Sequence, residues 1–236
     1  MHSKSIKILT FLIFLLTDFL LSQPNKTIGV NFNYILSAFV YPNVISNDRG
    51  IRNLSKEING WIGISADFRY EFTDGYLLGF SLEVVDKKVE DFLIRRISNQ
   101  VVRIPVEDRF RIYIAELSLF FVAPFSSQRW NIYIGGGLGA YKGDFTKSIL
   151  NVKSKIQKSP INLGIQVISG VMYNFSERFG ARVELKFRDP MVETENKFTE
   201  KFINYGGYTI QIDQAPFRPR VNFDTMTLIL GMTYSF

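Results

Sequence analysis

Apolar and polar residues alternate one by one through most of the chain after residue 25, as they do in β-strands with two different faces. Between Ile28 and Val40 the apolar side chains fall on every second position, mostly with Gly, Asn or Ser between them. Eight segments of this kind follow one another, beginning near residues 28, 62, 76, 115, 130, 161, 179 and 224. The pattern predicts an all-β fold of eight antiparallel strands.

Short and long connections alternate between the predicted strands. The short ones are residues 73–75, 123–129 and 176–178, and the long ones are residues 41–59, 86–109, 142–159 and 189–222. A transmembrane β-barrel has short turns on the periplasmic side and long loops on the extracellular side. Because an unpaired backbone edge is costly in hydrocarbon, the last strand is expected to pair with the first.

Two alternatives concern the barrel itself. A soluble eight-stranded barrel, such as a lipocalin, would turn its apolar face inward around a ligand. Here the polar face is rich in Gly, Ser and Asn, which suits a narrow interior, so the membrane barrel is favoured. Extramembrane hairpins are expected around Asn99 and within residues 202–212. If the arms of the second hairpin entered the membrane, the barrel would have ten strands.

The first 22 residues have a different composition. Lys4 and Lys7 precede an apolar run from Ile8 to Leu21. This pattern predicts a secretory signal peptide over residues 1–22, with a single membrane anchor as the alternative, and leaves residues 23–236 as the barrel domain. The formal net charge of +6 is modest and does not indicate a nucleic-acid partner.

The signal peptide, the eight segments and the terminal sequence LILGMTYSF together resemble the small outer-membrane β-barrel proteins of Gram-negative bacteria, of the OmpA/OmpX and porin-like type. The resemblance implies an outer-membrane location, contact with membrane lipids and lipopolysaccharide, and insertion by the barrel-assembly machinery with the help of periplasmic chaperones. It also implies an assembly signal in the alternate terminal residues Leu230, Met232, Tyr234 and Phe236. PorT-like barrels associated with type IX secretion are an alternative branch, which no specific motif identifies.

The sequence offers little for catalysis. It contains no Cys, and its one histidine, His2, lies in the predicted signal peptide. Ser–His catalysis and metal sites built on His or Cys are therefore excluded for residues 23–236. The glycine cluster YIGGGLGAY lacks the Lys-Ser/Thr of a phosphate-binding loop, and its glycines are expected to make room for large side chains. We expect no enzymatic activity, no cofactor and no metal.

Charged residues recur on the polar faces of the predicted strands. This predicted lumen cluster has five acids and three bases: Asp67, Arg69, Glu71, Glu83, Glu116, Arg182, Glu184 and Lys186. The interior of an eight-stranded barrel is just wide enough for side chains, and buried charges need partners. We expect a salt-bridged plug, with a narrow ion path or gate as the alternative.

Lysines are frequent in the third long loop, at Lys142, Lys147, Lys153, Lys155 and Lys158. Such charges could contact lipopolysaccharide phosphates or an anionic partner, or could be ordinary solvated loop charge. The expected function is that of an integral outer-membrane barrel with an occluded polar interior, acting in membrane integrity or in surface interaction through long extracellular loops. The alternatives are an accessory barrel of a secretion system, with secretion-complex partners, and a narrow small-solute channel.

Overall fold

A computed structural model describes residues 26–97, 100–127 and 129–236, so the predicted signal peptide lies outside the described residues. In chain order the elements are β1 (Lys26–Tyr41), α1 (Arg49–Arg52), β2 (Lys56–Thr73), β3 (Tyr76–Ile97), β4 (Gln100–Val122), β5 (Trp130–Ile149), β6 (Val152–Lys158), β7 (Ile161–Asn174), β8 (Phe179–Arg188), β9 (Met191–Glu193), β10 (Glu195–Phe198), β11 (Phe202–Tyr205), β12 (Tyr208–Gln211), β13 (Arg220–Asn222) and β14 (Thr225–Ser235).

Eight of these strands form a closed antiparallel ring, in the order β1-β2-β3-β4-β5-β7-β8-β14, and β14 pairs with β1. The predicted closure of the last strand on the first is therefore confirmed. The alternative of ten strands is wrong, because β11 and β12 pair with each other as a separate hairpin.

The outer surface of the ring is apolar. Val30, Ile64 and Leu163 are 60%, 66% and 81% exposed, and the residues between such positions point inward. A contiguous exposed apolar belt of this kind is the lipid-facing surface of a membrane barrel. On β14 the predicted facing is also found, since Leu230 is exposed and Thr233 is buried. Within the described ranges, no helix has the length and apolar character needed to cross a membrane.

β1 and β2 exchange their inner and outer faces at the level of Gly60. Ile58 and Trp61 are both buried although they stand three positions apart in the strand, and Gly60 between them has a φ of +67°. Glycine adopts this backbone conformation without the steric cost that a side chain brings. The alternation predicts that Ala38 and Val40 face lipid, and this prediction is wrong. The structure buries both in the barrel interior, because the inner and outer faces of β1 and β2 are exchanged at this irregularity.

Above the apolar belt, the barrel wall is formed by a partly different set of strands. β3 and β4 continue as a paired hairpin as far as the Ile97–Gln100 pair, as predicted for this loop. At this height β6 replaces β7 beside β5, and β13 replaces β14 beside β1. A bridge between Asn196 and Phe217 joins the two parts of the new wall. We call this part of the barrel the extracellular wall.

The interior is filled in layers. Phe120, Tyr133 and Ile168 form a small apolar cluster near the short turns. A larger apolar cluster lies toward the extracellular end, and in it the Trp61 ring centroid lies 5.6 Å from that of Phe110 and 5.2 Å from that of Phe223. We call this cluster the aromatic layer. The charged residues lie between the two clusters.

Candidate functional site

Eight buried ionisable side chains fill the middle of the barrel. All stand at inward positions of β2, β3, β4 and β8. We call them the lumen network, and its members are Asp67, Arg69, Glu83, Glu116, Arg182, Glu184, Lys186 and Arg188. Four acids face four bases, so the formal charges of the network sum to zero. This balance lets each buried charge have a partner of opposite sign, which charged groups need in a low-dielectric interior.

One half of the network lies toward the short turns. Arg182 donates a hydrogen bond to Asp67, and Arg69 Nη2 donates to Glu184 Oε1 at 2.5 Å. The Tyr133 hydroxyl donates to the same oxygen of Glu184. Each carboxylate here therefore has a guanidinium partner that comes from the facing wall of the barrel.

The other half lies below the aromatic layer. Arg188 donates to both oxygens of Glu83, at 2.8 and 3.0 Å. Lys186 Nζ donates to Glu116 Oε2 at 2.6 Å, and the Tyr141 hydroxyl donates to Glu116 Oε1 at 2.9 Å. A distance of 3.7 Å between Arg188 Nη1 and Glu116 Oε1 connects the two pairs. The four charges therefore act as one group.

Side chains of the network leave little free space. The void among them measures about 20 Å³, which is room for about one water molecule. On the periplasmic side Arg69 Cζ lies 4.3 Å from the centroid of the Phe120 ring. Glycines permit this density, since a Cβ atom at Gly139 would lie 2.6 Å from the Tyr141 hydroxyl oxygen. The arrangement is a plug of paired charges.

Two positions differ from the predicted lumen cluster. Glu71 lies half-buried at the end of β2, where its carboxylate accepts a hydrogen bond from the Gly75 amide in the turn at 3.2 Å. It belongs to the rim rather than to the buried middle. Arg188 is absent from the predicted cluster but pairs with Glu83. The alternation of β8 does indicate that Arg188 points inward, because Arg188 follows Lys186 on the inward face of this strand.

Three residues of the predicted assembly signal lie along the outer side of β14, and the fourth, Phe236, directly follows this strand. Leu230, Met232 and Tyr234 are exposed, and the Tyr234 ring lies between those of Phe179 and Phe236, at centroid distances of 5.2 and 6.0 Å. The Phe236 amide donates to the Lys26 carbonyl at 2.9 Å, which continues the seam between the last and the first strand. Their role in assembly stays a prediction.

The five predicted loop lysines do not form one patch. Lys147 points inward and its Nζ lies 3.2 Å from Asp108 Oδ1, because the alternation of β5 continues above the membrane. Lys158 Nζ lies 3.7 Å from Glu195 Oε1. The three that remain are exposed on the outer surface, and they are Lys142, Lys153 and Lys155.

No family model matches the chain. Among solved structures, the outer membrane protein OprG from Pseudomonas aeruginosa superimposes with a TM-score of 0.58 and 12% identity, over 91% of this chain and 98% of that one. For Ail, the attachment invasion locus protein of Yersinia pestis, the TM-score is 0.48 and the identity 13%, over 91% and 100%. The chain has the fold of the small outer-membrane β-barrel proteins, as the resemblance implies. With its apolar belt, it is an integral outer-membrane barrel.

A curated relative of another kind matches part of the chain. Large ribosomal subunit protein uL5 of Bacteroides thetaiotaomicron is 33% identical over 90 residues, which are 38% of this chain and 45% of the relative. The chain thus spans less than half the length of the curated relatives it matches, and a match of this extent does not show the family.

Proposed function

We propose that this outer-membrane barrel does not conduct and that it acts at the cell surface, where lysines of its extracellular wall bind lipopolysaccharide phosphates and so contribute to membrane integrity. The closed interior supports the first part. An ion would have to cross the lumen network and the aromatic layer, and the void within the network is only about 20 Å³. The alternatives of a channel and of a secretion accessory have no comparable support.

The surface role rests on one observation about two lysines. Lys155 on β6 stands directly opposite Lys197 on β10, and both are exposed. Directly opposed side chains of antiparallel strands have Cβ atoms about 5 Å apart, and like charges there destabilise the pair. A bound anion between the two ammonium groups would offset this repulsion.

A third lysine extends this surface. Lys153 is exposed two residues before Lys155, while Val152 and Ser154 are buried, so the lysines point away from the barrel interior. We call Lys153, Lys155 and Lys197 the lysine face. Nearer the membrane, exposed Lys142 pairs in register with Tyr113, at the upper border of the apolar belt. The negative phosphate groups of lipopolysaccharide at and above this border complement the positive charge of these lysines.

The test compares two triple variants of equal charge. The first is Lys153→Gln/Lys155→Gln/Lys197→Gln, and the control is Arg95→Gln/Arg96→Gln/Arg103→Gln on the exposed β3–β4 hairpin. Purified lipopolysaccharide should raise the thermal unfolding midpoint of the wild type and of the control in detergent, since a ligand that binds the folded state stabilises it. The lysine-face variant should show a much smaller rise, and dephosphorylated lipopolysaccharide should have little effect. Equal rises in all three proteins would contradict the proposal.

A further inference from the structure

An apolar cavity of about 410 Å³ lies inside the extracellular wall, next to the aromatic layer. Phe110 and Phe145 of that layer line one part of it, Ile58 and Val106 line its sides, and Phe217 of the last long loop lines another part. Cavities of this size and character are typical of small-molecule sites. The lumen network lies deeper in the barrel, so this cavity is a separate site.

The charged groups around the cavity neutralise one another. Lys147 Nζ lies 3.2 Å from Asp108 Oδ1, and Lys56 Nζ lies 2.9 Å from Asp91 Oδ2. Burial raises the pKa of the Asp108 carboxyl, although the Lys147 charge opposes this shift. Two lysines and two aspartates line the cavity, so each ammonium group has a carboxylate of its own. An uncharged ligand fits such walls better than an ion does, because it leaves both pairs intact.

One polar side chain in the cavity wall has an unused acceptor. Asn196 is 1% exposed, and its Nδ2 donates to the Phe145 carbonyl at 2.7 Å. Its Oδ1 has no hydrogen-bond partner among the residues that the structure describes. A buried acceptor without a partner is unfavourable, and a ligand hydroxyl or N–H group in the cavity would satisfy it.

We propose that this cavity binds a small uncharged aromatic molecule with one hydrogen-bond donor. The ring packs against Phe110, Phe145 and Phe217, and the donor bonds to Oδ1 of Asn196. The three phenylalanines supply an apolar aromatic surface, and the amide oxygen fixes the orientation of the ligand. This binding activity is independent of the proposed contact between the lysine face and lipopolysaccharide, so either can fail without the other.

The test uses two ligands of similar shape, of which only one has a hydrogen-bond donor. 4-Ethylphenol has a hydroxyl group, and 4-ethylanisole has a methyl ether in its place. Methyl NMR spectra of the barrel in nanodiscs report binding at Ile58, Val106 and Ile149 in the cavity wall, while lipid-facing Ile134 reports partition into the bilayer. 4-Ethylphenol should shift the cavity methyl signals to saturation and bind about tenfold more tightly than 4-ethylanisole. Equal affinities, or shifts confined to Ile134, would overturn the proposal.

Two variants locate the acceptor. Asn196→Leu should reduce the affinity for 4-ethylphenol to that for 4-ethylanisole. Asn222→Leu is the matched control, because Asn222 also has a buried Oδ1 without a described partner but does not line the cavity. It should leave both affinities unchanged. An unaltered preference for 4-ethylphenol in a folded Asn196→Leu protein would exclude Asn196 as the acceptor. The ligand comparison on the wild type stands even if that variant does not fold.

Discussion

Arg188 donates two hydrogen bonds to the carboxylate of Glu83, from Nη1 to Oε2 at 2.8 Å and from Nη2 to Oε1 at 3.0 Å. The two residues stand on β8 and β3, which are separated by three strands in either direction around the ring of eight. The pair therefore joins opposite walls of the barrel through its interior. Both side chains are buried, so the ion pair is shielded from solvent.

Removing one partner of this pair should destabilise the barrel more, per substitution, than removing both partners together. Glu83→Ala leaves the Arg188 charge buried without its main partner, and we expect a loss of about 3–5 kcal/mol in the free energy of unfolding. The double variant Glu83→Ala/Arg188→Ala keeps the network neutral and should cost less than the sum of the two single variants. Urea unfolding in detergent measures all three, and losses that add within about 0.5 kcal/mol would show that the two charges are not coupled.

Arginine substitutions on β14 should depend on depth in the membrane. Leu230 is exposed near the middle of the outward face, and we expect Leu230→Arg to cost about 2–4 kcal/mol. Met226 points the same way but lies beside Asp224 near the extracellular border, where the cost should fall to about 0–1 kcal/mol. Unfolding in lipid vesicles measures both. Similar costs at the two positions would argue against the assigned belt.

The predictable part of this fold comes from alternation. Period two along β8 and β14 indicates the facing of each residue, and the alternating connection lengths indicate which end is extracellular. The facing of Ala38 and Val40 could not be predicted in this way. A local irregularity at Gly60 exchanges the inward and outward faces of the strands, and the sequence periodicity does not indicate it. Short strands such as β9 and β13 contain too few residues to show a period.

The site was predictable in its residue types rather than in its pairs. Seven members of the lumen network follow from inward positions in the sequence, and Arg188 follows from the same rule applied one step further. Which acid meets which base depends on strands that are distant around the ring, and sequence spacing contains no information about that distance. Lys147 shows the same limit, since its inward direction depends on how far β5 continues above the membrane.

Gly60 should be sensitive to substitution because of its backbone conformation. With φ at +67°, Gly60→Ala places a Cβ atom in the left-handed region, and we expect a loss of about 1–2 kcal/mol in the free energy of unfolding. Gly50 in α1 is the control, because its φ is not positive, alanine favours a helix there, and an added Cβ atom would meet only the exposed carboxylate of Asp48, at 3.2 Å. Gly50→Ala should therefore not destabilise the protein. An unchanged free energy of unfolding in Gly60→Ala would contradict the role of this glycine in exchanging the inner and outer faces of β1 and β2.

The ion pairs just above the belt should give a pH dependence. Partial burial alone would raise the pKa of the Asp86 carboxyl, but hydrogen bonds from Arg109 and Arg111 outweigh it and hold this pKa below its usual range. A lowered pKa stabilises the folded state above the ordinary value of about 4, and the contribution is lost as the pH falls through the folded value. The stability difference between wild type and Asp86→Asn should therefore be constant above about pH 5 and shrink below pH 4. A difference independent of pH would contradict this pairing.

The closed interior is the central claim, and conductance of the wild-type protein in planar lipid bilayers tests it most directly. The lumen network and the aromatic layer together block the path of an ion, so we expect no discrete current steps above those of protein-free membranes. Folded, inserted protein must be shown in the same preparation by its heat-dependent gel mobility. Reproducible single-channel steps from that protein would contradict the account.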